Sequence, residues 1–457
     1  MADAPLPIHS YQRVQQGARL VNCYAEQAPI NSKTPIKLLG APGIAEYVEV
    51  GDGPVRGMAR WDGMLFVVSG MSLYQVSAGG GRTLIGAVLG QGDVLMVPTR
   101  VDLVMVTSTG VTYRYDGAAL SQITDPDLPD IADADFTDGY LLTITKDSDQ
   151  FNASELNDST DWDALQFASA ESAPDKLVGI IVDHRQIILA GEDTVEIWWN
   201  AGTAGFPFER IPNGALEVGC SAGRSLAKAD NGVFWLDDER IVRRLAGLTP
   251  QRVSTHGVEE AIGGYDTVSD AVGFVYTIEG HINYVLTFPT QGATWVFDIT
   301  TGEWHERESY QRTDWRVAHH ARIGGVEYVA ERDSNRVGIL TASANTEWGD
   351  PLVMLWTYKT IFGDGRRIKH RRFELTGRTG YVQGGDAPTV TLEKSDDGGL
   401  TWQRLPTRSF GGTGQTMARQ RWFRLGSAYE RTYRAFIGDD VPRCIDATQV
   451  DATQGVY

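Results

Sequence analysis

The stretch GMLFVVSGMSLYQV, residues 63–76, decides the fold. Two short runs of aliphatic, β-branched and aromatic residues flank a glycine break, the pattern of a strand, a tight turn and a second strand. VDLVMVTSTGVTYRYDG (101–117) and NGVFWLDDERIVRRL (231–245) repeat it. Such runs, bounded by Gly, Asp and Asn, recur about every 40 to 48 residues, the length of one four-stranded propeller blade. No long amphipathic helical pattern competes with them, so the chain is mainly β. The period predicts a β-propeller of roughly seven blades over residues 51–350, with starts near Val55, Val94, Ile131, Leu177, Arg224, Ala271 and Trp315. Residues 1–50, rich in Pro and polar side chains, read as an extended N-terminal arm and propeller entry.

After Asp350 the alternating segments lengthen: RRIKHRRFELTGR (366–378), TVTLEKSDDGGLTWQRL (389–405) and RWFRLGSAYERTYRAFIG (421–438). They suit a separate C-terminal antiparallel domain of the β-sandwich kind over 351–457, with an eighth blade as the alternative. Charge changes at the same place. The chain carries −18 overall, but residues 351–457 hold 16 Lys and Arg against 11 Asp and Glu, which leaves −23 on residues 1–350. A chain so acidic repels nucleic acid and anionic membranes.

Cys23, Cys220 and Cys444 are far apart and odd in number, so they predict buried thiols instead of a disulfide framework or a zinc site. MADAPLPIHS has no basic region followed by an apolar run, and no stretch approaches the ~18 apolar residues of a membrane span. Synthesis in a cytosol and a soluble product are the expectation.

Few motifs carry chemistry. SDDGGLTW, 395–402, has the form of the Asp-box hairpin of sialidases, with Ser395, Asp397, Gly399, Thr401 and Trp402 at the motif positions. Ser395 and Asp397 can bond turn amides, Gly399 can take positive φ, and Trp402 can pin the hairpin to a core. FERIP, 208–212, approaches the sialidase arginine motif, but Arg210 lies mid-chain and no further Asp-boxes follow, so it reads as a structural or surface arginine. A glycan-binding or sialidase-like propeller remains the alternative function. DSDQFNASELNDSTDWD, 147–163, is dense enough in carboxylates to hold Ca²⁺, or is a solvated connection rich in Asx turns. His319 and His320 are adjacent, and adjacent strand residues face opposite ways, so they cannot chelate together. Nucleotide, serine-hydrolase and zincin motifs are absent from the sequence, and no cofactor is implied.

GRRIKHRRF, 365–373, gathers Arg366, Arg367, Lys369, Arg371 and Arg372 around His370. Strict alternation puts Arg366, Ile368, His370 and Arg372 on one face and Arg367, Lys369, Arg371 and Phe373 on the other. Three readings stand: a charged edge strand, an interface for an acidic neighbour, and a DNA contact.

Four segments together resemble a known family: RLVNCYAE (19–26) with APGI (41–44); WDALQFASAESAPDKLVGIIVDHRQIILAGEDTVEIWWNAG (162–202); FPFERIPNGALEVGCSAGRSLAKADNGVFWLDDE (206–239); and SDDGGLTW with RWFRLGSAYERTYR. They are similar to the packaged-DNA stabilisation proteins of short-tailed bacteriophages, also called tail hub or nozzle proteins. The resemblance implies a non-enzymatic virion protein built on a propeller and assembled in the host bacterial cytoplasm. It implies a hexameric ring in the tail, below the portal and its adaptor, that closes the DNA exit channel. Partners so implied are the adaptor, a tailspike or fibre, a needle or plug, and phage DNA that passes without sequence-specific binding. The basic run then becomes a candidate subunit or adaptor interface, and the Asp-box a structural hairpin.

Overall fold

The computed structural model describes residues 4–12, 15, 17–27, 36–170, 175–382 and 387–454. Parts of the expected arm, 1–3, 13, 14, 16 and 28–35, lie outside the described residues. Among the described residues, seven successive antiparallel units of four strands occupy 55–87, 94–122, 131–169, 177–216, 227–252, 272–306 and 317–341, the last completed by Gly43–Glu49. Their first strands begin at Val55, Val94, Ile131, Leu177, Ala227, Val272 and Val317.

Local sequence explains the repetition. In the first unit Trp61 pairs with Met64, and the two turn residues, Asp62 (φ 45°) and Gly63 (φ 74°), both take positive φ. This is the type I′ turn that matches strand twist, and Asp-Gly is among its preferred sequences. The equivalent hairpins of the third, fourth, fifth, sixth and seventh units turn on 138–139, 184–185, 230–231, 279–280 and 324–325, again with both residues at positive φ. In the fourth unit the pair is His184 and Arg185, without the usual Gly, Asn or Asp.

The core lies between units. Phe66, Val68 and Leu73 of the first meet Val94, Leu103 and Met105 of the second, and comparable clusters join each pair of neighbours around the series. Second strands are sandwiched on both faces: all five residues of Leu103–Thr107 and of Gly232–Leu236 are buried. Each such large side chain contributes about 1.5 to 3 kcal/mol. The innermost strand Val55–Trp61 touches both Val94–Pro98 and Val317–Ile323, so the series closes into a ring. A short helix, His256–Gly263, buries Val258 and Ile262 between the fifth and sixth units; eight residues are too few to show as a helical period in the sequence.

Beyond Asp350 two sheets face one another. One contains Cys23–Gln27, Ile36–Gly40, Cys444–Gln454, Ile368–Gly377 and Arg419–Ala428 in that order; the other contains Met354–Thr357, Glu430–Ile437, Thr389–Ser395 and Gln403–Arg404. Phe373 sits between them against Tyr358, Trp422 and Tyr433, with ring centroids 5.5, 5.7 and 4.9 Å away.

The N-terminal segment is divided between the halves. Ala4–Pro5, Cys23–Gln27 and Ile36–Gly40 join the C-terminal sheet, whereas Gly43–Glu49 pairs with Arg336–Thr341 to complete the seventh unit. Leu20–Val21 lies between Glu303–Glu306 and Met354–Thr357, making one continuous sheet of the sixth unit and the C-terminal strands. Tyr11 and Arg19 both bond Glu306, and Arg19 also reaches Glu308 at 2.6 Å.

A buried polar knot locks the closing strand. Arg307 Nη1 and Nη2 donate to the Pro42 carbonyl at 3.1 Å, and Nη2 pairs with Glu347 Oε1 at 3.1 Å. Trp315 Nε1 and Ser309 Oγ donate to the two Glu347 oxygens at 2.7 and 2.6 Å, and the Arg307 guanidinium lies 4.3 Å from the Trp315 ring centroid. Both charged side chains have no solvent exposure.

Candidate interaction site

The Asp-box forms the hairpin between Thr389–Ser395 and Gln403–Arg404. Ser395 Oγ donates to Asp397 Oδ1 at 2.6 Å and accepts from the Gly399 amide at 2.9 Å; Asp397 Oδ1 accepts the Thr401 amide at 3.0 Å. Gly399 takes φ 97°. Hydrogen bonds from Ser395 and then Thr401 hold the Asp397 carboxyl at about 2.

Two features of this hairpin differ from the sequence reading. Trp402 is half-buried and lies on the Arg434 guanidinium, 4.1 Å from its ring centroid, instead of entering the core. The anchor is Asp396, which binds the buried Arg431 through both oxygens at 2.5 and 2.7 Å. The tip meets the N-terminal segment backbone to backbone: a Cβ on Gly17 (φ +66°) would stand 2.5 Å from the Gly399 carbonyl.

With a folded pKa of about 2, Asp397 contributes stability that is present above the ordinary carboxylate range and lost as pH falls through about 2. Asp397→Asn should therefore lower the melting temperature at neutral pH and make less difference near pH ~2. Equal destabilisation at both pH values would contradict a role for the carboxylate charge.

The basic run occupies the turn after Ile361–Phe362 and the start of Ile368–Gly377. That strand is not an edge: it pairs with Arg419–Ala428 on one side and Cys444–Gln454 on the other. Strict alternation also fails, because both registers shift between His370 and Arg372. A bulge carries one extra residue, so Phe373 becomes buried on the same side as Ile368 and His370. Arg366, Arg367, Lys369 and Arg371 are exposed, with Arg367 lying 5.4 Å over the Tyr429 ring; Arg372 is half-buried, 3.8 Å from Glu374.

The outward face continues onto the next strand. Glu374 Oε1 and Oε2 accept from Arg419 Nη1 at 3.0 Å and Arg421 Nε at 2.8 Å. Burial by itself would raise the Glu374 carboxyl, but the bonds and charges of Arg421 and Arg419 outweigh it and hold the group below its ordinary range. The result is a net-positive face bordered by exposed Arg424 and by Phe423, Tyr429 and Phe362, all more than half exposed. Arg419, Arg421 and Arg424 escaped the sequence reading because their strand shows only alternation; cross-strand pairing brings them beside the run.

Arg210 lies on the outer strand of the fourth unit and pairs with Glu196 at 3.0 Å. In the 147–163 segment, Asp158 and Asp163 each accept a backbone amide two residues on, from Thr160 and Leu165 at 2.9 Å, while Asp147 pairs with Lys176 at 3.0 Å. His320 bonds Glu327 at 2.7 Å and His319 faces the Val55 carbonyl at 3.2 Å. Among the described residues no group of three or more His, Cys, Asp or Glu is placed to hold a metal ion, and no helix is long and apolar enough to cross a membrane. Cys23, Cys220 and Cys444 are free and buried.

A ring of four-stranded units followed by a β-sandwich, with an Asp-box in a hydrogen-bonded turn, defines a β-propeller protein with a C-terminal β-sandwich. A family model described as the β-propeller of bacteriophage P22 Gp10 matches residues 16–345, and another, described as the β-sandwich of the same protein, matches 354–453. The chain belongs to this family of phage stabilisation proteins, which are structural components of the phage. No curated protein matches it. Among solved structures, the computationally designed Ika8 protein aligns at 12% identity and a TM-score of 0.43, over 65% of this chain and 99% of that one. The Pan2 WD40 domain of Neurospora crassa aligns at 12% and 0.42, over 65% and 94%. BamB from Moraxella catarrhalis aligns at 12% and 0.40, over 72% and 97%.

Proposed function

We propose that this chain forms a ring in the phage tail, six copies below the portal and its adaptor, that closes the DNA exit channel, retains the packaged genome and anchors tailspikes, fibres or a needle. The observation that carries the reading is the family match over both halves of the chain. The charge is compatible with it: an acidic channel wall repels phosphate, so DNA passes without being held by sequence. In this reading the chain has no catalytic task, and Arg366, Arg367, Lys369, Arg371 and Arg372 meet a neighbouring subunit or the adaptor, where guanidinium forks favour carboxylates.

Electron microscopy of the purified chain, and of particles assembled without it, tests the proposal. Closed rings, and particles that package DNA but leak it, are expected. Particles that keep their genome without the chain would overturn the retention role; turnover of sialosides abolished by Arg210→Ala would favour a glycosidase.

A further inference from the structure

Two surfaces of opposite charge, each bearing exposed apolar side chains, lie on distant parts of the molecule. The first is the basic face of the C-terminal sheet, where Lys369, Arg371 and Arg424 surround Phe423, which is 59% exposed. The second is the connection between the third and fourth strands of the third unit, where Asp158, Asp161 and Asp163 are exposed beside Leu156 and Leu165, 54% and 79% exposed. Single exposed apolar residues are common, but exposed apolar side chains set among charges of one sign suit a partner surface that offers the opposite charge. The C-terminal sheets share their main core cluster with the fifth and sixth units. The third unit is three steps from the sixth around the ring, the largest separation seven units permit. One copy therefore cannot bring its own two surfaces together.

We propose that copies of this chain associate head to tail, the basic aromatic face of one C-terminal sheet seated on the acidic leucine-bearing edge of the next copy's third unit. The inference rests on the ring reading above and names its contact. A heterologous contact between different surfaces closes into a ring when the rotation permits, whereas a self-complementary contact stops at a dimer. Charge and apolar content favour a protein neighbour over DNA: the face keeps Glu374 at its centre, and Phe423 and Leu165 offer complementary area that a phosphate backbone does not need.

The test is charge reversal in the full chain. One variant carries Asp158→Lys, Asp161→Lys and Asp163→Lys; the other carries Lys369→Glu, Arg371→Glu and Arg424→Glu. Each variant then has two like-charged surfaces, and sedimentation at low ionic strength should show self-association weakened roughly tenfold or more in each. An equimolar mixture should associate again, because every contact between unlike variants pairs opposite charges and the copies can alternate. Leu165→Ser with Phe423→Ser, which leaves all charges in place, should weaken association as well, and circular dichroism confirms that each variant is folded. If the wild type forms rings and the variants form them equally well, this contact is wrong while the ring stands. A wild type that stays monomeric at all concentrations removes both. Association unchanged by reversal, combined with salt-sensitive duplex DNA binding lost from the Glu variant, would assign the basic face to DNA and overturn the proposal.

Discussion

Glu347→Ala should destabilise the folded chain by about 3 to 5 kcal/mol, because it leaves the Arg307 guanidinium buried without its counter-charge. The same substitution strips the acceptor from Trp315 Nε1 and Ser309 Oγ, and each buried donor left unmade adds to the loss. Replacing the ion pair as a unit, Arg307→Met with Glu347→Leu, should recover the part lost to the unpaired guanidinium, since an apolar pair of similar volume avoids the desolvation of two ions, while Trp315 Nε1 and Ser309 Oγ stay without their acceptor. Denaturant midpoints of Arg307→Met, Glu347→Leu and the double variant measure the coupling. A loss below about 1 kcal/mol for Glu347→Ala would mean that the knot is not a stabilising lock.

Gly223→Ala should be comparably severe for a steric reason. A Cβ there would stand 1.7 Å from the Val178 carbonyl oxygen and 2.5 Å from its carbon, and neither can move without shifting the innermost strand of the fourth unit. Overpacking costs about 1 to 3 kcal/mol where side chains can yield, and a collision with backbone belongs at or above the top of that range. Gly223 also opens the short turn Gly223–Ser225, which carries Arg224 to Asp93, just before the second unit. Loss of that pair should accompany the fold defect, while Asp93→Asn alone, an exposed partner, should cost under about 1 kcal/mol. Gly263→Ala is the control: nothing stands within 4 Å of its Cβ, and alanine is the better helix former. Thermal unfolding of the three variants side by side separates collision from loss of the ion pair.

What the sequence made legible follows from what is local. Each ring unit is a chain of hairpins, and turns such as Asp62–Gly63 and Asp138–Gly139 lie inside the segment they fold, so the period shows in one dimension. The Asp-box was legible for the same reason: Ser395, Asp397 and Thr401 satisfy one another within seven residues. Its anchor was not, because Asp396 meets Arg431 across 35 residues and nothing in either position marks the other. The basic strand was misread as regular, since a single extra residue between His370 and Arg372 reverses every later side chain and leaves no mark in composition. The division of the N-terminal segment was hidden more deeply. Leu38 and Leu39 pair with Ile445 and Cys444, some of the most distant partners in the chain, and only a folded structure brings them together.

Strand Gly43–Glu49 has a consequence for the order in which the molecule is made. It leaves the ribosome well before its partner Arg336–Thr341, which emerges after nearly 300 intervening residues. The first six units contain short-range pairings that can form as they emerge, while the opening segment waits, and such delayed pairing is slow and aggregation-exposed. Completion comes in two steps: the seventh unit closes when residue 341 is free, and Ile36–Gly40 docks only when Cys444–Gln454 exists. A nascent chain truncated before residue 336 would retain an unpaired strand edge, an open template for the same strand of another chain.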